Sequence, residues 1–177
     1  MKRKNKLVEN VFVLVLMYAI GVLFSFFLTS LFSMFNFISN VQLQAFIASI
    51  ISVLVVLSML YGSIWSMGER DANMVAYGHL KERRWRGALI GFLALFIPIL
   101  TMGFCLIFPQ DELAKLVLNI IFMPLLGTVA YLKANTFVTC IIFITAAIVV
   151  CGTGYFFGYK GISFMNKVWY KKDKKQS

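Results

Sequence analysis

Between Glu9 and Glu69 lie 59 consecutive residues, 10–68, without one charged side chain. As a single helix rising about 1.5 Å per residue, such a block would be roughly three times as long as a ~30 Å hydrocarbon core. A soluble domain has nowhere to bury it, and a bilayer requires it to fold back on itself. Composition supports the bilayer: 60% of the 177 residues are hydrophobic, 14% are charged, and the mean hydropathy is +0.85. A globular domain is about half apolar and about a quarter charged. These values exclude disorder, a disulfide scaffold and a nucleic-acid module. They point to an all-α integral membrane protein, expected in a bacterial cytoplasmic (inner) membrane.

The fold-back is expected within residues 33–44, where Ser33, Asn36, Ser39, Asn40, Gln42 and Gln44 raise polarity without charge. Four spans are expected, at residues 8–32, 45–66, 87–108 and 136–159, the third closed by Pro109. The basic start followed by an apolar run looks like a signal peptide. The run is too long for that and shows no A-x-A cleavage pattern, so it reads as a retained first span. Within residues 112–133 the uncharged stretch 116–132 is only 17 residues, about 25 Å at helical rise, and Pro124 and Gly127 interrupt it. Residues 112–133 read as a re-entrant or interfacial segment, with Asp111 and Glu112 capping its start.

Orientation follows from the cations. Segments 1–6, 68–87 and 160–177 hold 4, 5 and 6 of the 17 Lys and Arg residues. The positive-inside bias assigns all three to the cytoplasm, along with both termini, and so requires an even number of crossings. Four spans with 112–133 on the outer side satisfy it; the alternative is five spans with the lysine tail outside. Within that tail, Lys167, Lys171, Lys172, Lys174 and Lys175 are expected to meet anionic headgroups after the helix bends at Gly161.

In lipid, helices approach closely through small residues spaced four apart. Ser58, Gly62 and Ser66 in the second span, Gly87 and Gly91 in the third, and Gly154 and Gly158 in the last are the candidates for helix packing, within one chain before a homodimer. Residues 68–86 concentrate the remaining chemistry. Gly68 is expected to end the second helix, and Asp71 to cap a short helix over 72–81 and to pair with Arg83 or Arg84. Arg70, Asp71, Asn73, Tyr77 and His79 form a candidate recognition loop, and the competing reading is a solvated connector.

Enzyme signatures do not fit. With His79 the only histidine, HExxH is impossible, no GxSxG occurs, and this loop holds one aspartate where Mg²⁺-assisted diphosphate chemistry needs several. Cys105, Cys140 and Cys151 sit in apolar runs with no CxxC and read as small core residues. Neither metal nor cofactor is expected. The chain reads as a non-enzymatic accessory or assembly subunit whose partners are lipid headgroups and another membrane protein or itself, with no nucleic acid. The alternative is a small-solute transporter or channel component, for which the interrupted segment with Asn119, Pro124 and Gly127 is the natural feature.

Overall fold

The computed structural model describes residues 6–35, 38–78 and 85–162. All regular structure among them is helical: α1 (Lys6–Phe35), α2 (Val41–Ala76), α3 (Arg86–Ala94), α4 (Phe96–Ile107), α5 (Glu112–Ile121), a 3₁₀ turn (Met123–Leu125), α6 (Leu126–Leu132) and α7 (Thr136–Tyr159). Three helices, α1, α2 and α7, are long and apolar enough to cross a membrane, and the number rises to five if the bent pairs α3–α4 and α5–α6 each count as one span. The lysine tail and His79 lie outside the described residues.

The uncharged block folds back where its amides are densest. Asn40 starts α2 as an N-cap, its side-chain oxygen accepting from the backbone N–H groups of Gln42 and Leu43 at 3.0 and 3.2 Å. One turn further, Gln44 Nε2 donates to the Phe32 carbonyl, one of the last four carbonyls of α1, which have no partner inside that helix. At the other end of the chain, Gly161 (φ +65°) closes α7, with the Ile162 N–H reaching back to the Phe157 carbonyl at 2.9 Å. Only a residue without Cβ enters that left-handed conformation freely.

Two spans differ from expectation. The second is one unbroken helix of 36 residues, about 54 Å long at standard rise, so its ends project beyond a ~30 Å core. Gly68 does not stop it, and residues 68–76 of the expected loop are its last turns. A mid-helix glycine costs about 1 kcal/mol relative to alanine, but a Cβ at Gly68 would overlap the Tyr155 carbonyl oxygen, so the glycine admits α7. The third span is not straight: α3 and α4 meet at Leu95 with a bend of 49°. Pro98 supplies the cause, since it has no N–H to return to the Ala94 carbonyl and its ring would collide with that group. The interruption expected within 112–133 is present as a bend of 77°, at Phe122 and the 3₁₀ turn containing Pro124.

The core lies where α1, α2, α3 and α7 meet, around Leu14, Val56, Leu60, Ile64, Ile90, Ala147 and Cys151, and α2 is its hub. All three cysteines are buried and free. Glycines set the helix spacing. A Cβ at Gly91 would stand 2.7 Å from the Cys151 Cβ, and one at Gly154 2.7 Å from Ile64 Cγ2. At Gly87 it would overlap the Tyr155 side chain, and at Gly158 the Trp65 carbonyl. Ser58, Gly62 and Ser66 do not take part. They are exposed, on the face of α2 opposite the buried Val56, Leu60, Ile64 and Met67, and nothing lies within 4 Å of a Cβ built on Gly62.

These two classes of glycine should respond oppositely to one methyl group. Gly158→Ala is expected to destabilise the folded protein in detergent by about 1–3 kcal/mol through overpacking. Gly62→Ala should raise stability by about 0.5–1 kcal/mol through helix propensity. Reversible unfolding monitored by circular dichroism checks both signs.

Candidate functional site

The polar residues nearest the basic end of the bundle are drawn into one buried cluster. Glycine contacts bring α2, α3 and α7 close enough for short side chains to meet. Asp71, 3% exposed in the penultimate turn of α2, accepts the Tyr155 hydroxyl on Oδ2 at 3.0 Å. The same oxygen lies 2.9 Å from Arg86 Nη1, at the start of α3. Arg70 and Asp71, about 100° apart on the helix, diverge: Arg70 Nη2 donates to Asn10 Oδ1 of α1 at 2.6 Å. One turn of α2 therefore ties the ends of all three neighbouring helices. Trp65 Nε1 donates to the Ile162 carbonyl at 3.2 Å just below.

Asp71 thus departs from its expected role. It is an interior helix residue rather than an N-cap, and its cation is Arg86, not Arg83 or Arg84, which lie outside the described residues. The tertiary contact outweighs the capping preference because a buried carboxylate needs a counter-charge and donors around it. Asn73 and Tyr77 are exposed, and the Tyr77 N–H caps α2 by donating to the Asn73 carbonyl at 3.1 Å. The five expected loop residues divide accordingly: Asp71 inward, Arg70 toward α1, Asn73 and Tyr77 outward, His79 undescribed. Asn10, Arg86 and Tyr155 are the members that sequence reasoning missed. Arg86 was visible only as one cation among several, and Tyr155 only as an aromatic between Gly154 and Gly158.

A second polar centre lies deeper, at the bent segment. Ser49 Oγ of α2 donates to the Pro124 carbonyl at 2.5 Å and accepts from the Thr128 N–H at 3.1 Å. These are the two ends of one i→i−4 helical bond, so the hydroxyl stands inside the opened ladder. The Thr128 hydroxyl is 2.8 Å away, and Tyr18 of α1 donates to the Ile121 carbonyl at 2.9 Å. Gly127 is part of this contact and not of the bend, since a Cβ there would overlap the Ala45 carbonyl. Among the described residues, the buried side-chain polar atoms without a partner are Asn10 Nδ2, Gln44 Oε1 and Ser52 Oγ. Asp111 caps α5 as expected, accepting from Leu113 and Ala114 N–H at 2.9 and 3.3 Å.

Neither centre gathers three or more His, Cys, Asp or Glu side chains among the described residues. The arrangement at Asp71 is an electrostatic tie, and that at Ser49 a break in a helix bridged by one hydroxyl. Comparison with protein-family models, curated proteins and solved structures gives no match.

A buried pair broken on one side leaves an uncompensated charge. Asp71→Asn or Arg86→Gln is expected to cost about 3–5 kcal/mol, and Tyr155→Phe about 1–3 kcal/mol. Arg70→Ala removes the donor to the buried Asn10 Oδ1 and should cost about 1–3 kcal/mol. Thermal unfolding of the four purified variants ranks them, and an Asp71/Arg86 double-mutant cycle isolates the pair.

Proposed function

We propose that this protein is a non-catalytic accessory or assembly subunit of a larger complex in a bacterial cytoplasmic membrane, docking through the outward face of α2. The observation that carries this reading is the use of small residues. Seven glycines among the described residues, Gly21, Gly68, Gly87, Gly91, Gly127, Gly154 and Gly158, sit against a neighbouring helix, whereas Ser58, Gly62 and Ser66 form a stripe of four-residue spacing on an exposed face. Small-xxx-small stripes admit a second helix in lipid. This one runs on along α2 into exposed Glu69, Asn73 and Tyr77, giving an apolar seam a polar end.

The topology that goes with it has four spans: α1, α2, α3–α4 and α7, with both termini and the link between α2 and α3 cytoplasmic. In support, Asn10, Asp71, Arg86 and Tyr155 bring one end of four chain segments together. Helices α5 and α6 are bent by 77°, more sharply than the 49° within α3–α4, and their break holds Pro124. They therefore suit an outer-side re-entrant segment. The second reading is passage of a small solute. The hydroxyl of Ser49 inside the helical ladder of the broken segment favours it, because interrupted backbone at membrane depth is the usual setting of a transport site.

Cysteines placed at Tyr77, Gln110 and Ser177 test the topology: only the one at Gln110 should react from outside, and outside labelling at Ser177 overturns four spans. For the function, the protein is purified in mild detergent as wild type and as Gly62→Leu. A stoichiometric membrane partner retained by the first and lost from the second, with the fold intact, is the expected result. A homo-oligomer that conducts solute in liposomes and loses flux on Ser49→Ala would instead establish the second reading.

A further inference from the structure

At the end of the bundle far from Asp71, the C-terminal end of α4, one face of α5 and the first turn of α7 enclose a half-open cavity of about 270 Å³. Its polar lining is Lys115, Asn119 and Thr136, and its apolar lining includes Leu118 and Phe137. Lys115 and Asn119 are four residues apart, hence neighbours on one face of α5, and Thr136 faces them from α7. None of the three side chains has a hydrogen-bond or salt-bridge partner among the described residues. Asp111, one turn back, is engaged as the α5 N-cap through Oδ1, and neither it nor Glu112 forms an ion pair with Lys115 among the described residues.

Lys115 and Asn119 are exposed and Thr136 is half-buried, so an ammonium, an amide and a hydroxyl are available to a ligand at one opening. An anion with several acceptor oxygens matches this set, since the ammonium supplies charge and the other two supply directed N–H and O–H donors. The elements that form the cavity also expose apolar side chains, Leu116 and Ile120 of α5, Phe104 of α4, Phe108 at its end and Val138 of α7. That is the surroundings an acyl chain needs, and a soluble anion does not.

We propose that this cavity is a phospholipid-binding site, in which Lys115, Asn119 and Thr136 hold the phosphate of one lipid of the leaflet opposite the basic segments while its chains lie along α4, α5 and α7. The site is separate from the α2 docking face, so it stands or falls independently of the proposed subunit role. It gives α5 a purpose that its sparse burial, with only Ala114 and Leu118 inside, leaves open: the lipid joins α5 to α7.

Native mass spectrometry of the full-length protein, delipidated and titrated with phosphatidylglycerol, tests this. Lys115→Gln should weaken the tightest lipid-binding step about fivefold, the effect of one lysine at an anionic surface, and Asn119→Leu should weaken it comparably. Lys133→Gln removes the other isolated cation and should leave that step unchanged, which separates the site from general attraction to lysines elsewhere in the chain. Equal effects of all three variants, or none from Lys115→Gln, overturn the site. Inorganic phosphate is the second arm. If it displaces the lipid at millimolar concentration, the cavity is a soluble-anion site and the lipid assignment fails; if it does not, the acyl chains are required, as proposed.

Discussion

Everything at the basic end of the bundle depends on how closely α2, α3 and α7 approach. In lipid there is no hydrophobic drive between helices, so dispersion contacts and hydrogen bonds must hold them together. Both weaken steeply with distance. Gly68, Gly87, Gly91, Gly154 and Gly158 remove the Cβ atoms that would hold the three helices apart. Only at that spacing does the short Asp71 side chain reach both the Tyr155 hydroxyl and the Arg86 guanidinium. The polar tie thus rests on the glycine contacts, and a methyl group at one of them would lengthen both bonds to Asp71.

The two polar centres have different mechanical characters. Asp71 joins α2, α3 and α7 through a buried ion pair and a hydrogen bond, and Arg70 ties α1 beside it, so the cluster resists separation of the helices. At Ser49 a single neutral hydroxyl spans an opened helical bond between Pro124 and Thr128. Pro124 has no N–H to return to the Ile120 carbonyl, which interrupts the ladder one turn earlier, and the Ser49 hydroxyl supplies partners to both groups of the opened bond, as water does in a soluble protein. The exposed stripe of Ser58, Gly62 and Ser66 runs along the hub helix between them.

Much was legible in the residues alone, because water and lipid impose constraints that do not depend on a partner. The absence of charge over residues 10–68 demanded a reversal, and amide density located it, with Asn40 as the cap. The last span matches its expected bounds, and the interrupted segment breaks beside its proline. Asp111 caps α5 because an N-cap is a contact between near neighbours in sequence. Pro98, whose missing N–H bends the third span, was equally available as a local signal and was not used.

What the chain by itself could not decide was which face of a helix turns inward and which distant groups meet. Ser58–Gly62–Ser66 and Gly154–Gly158 have the same spacing, yet the first faces outward and the second lies against Ile64 and Trp65. Periodicity defines a face without saying what covers it. Asp71 looked like a cap because local rules favour aspartate at helix starts. Arg86 and Tyr155, 15 and 84 positions away, give it a stronger role that appears only once α2, α3 and α7 are assembled. Local hydrogen bonding and the transfer of apolar surface are sums over short stretches of sequence and can be read there. A buried ion pair is a meeting of remote residues, and only the tertiary structure supplies the meeting.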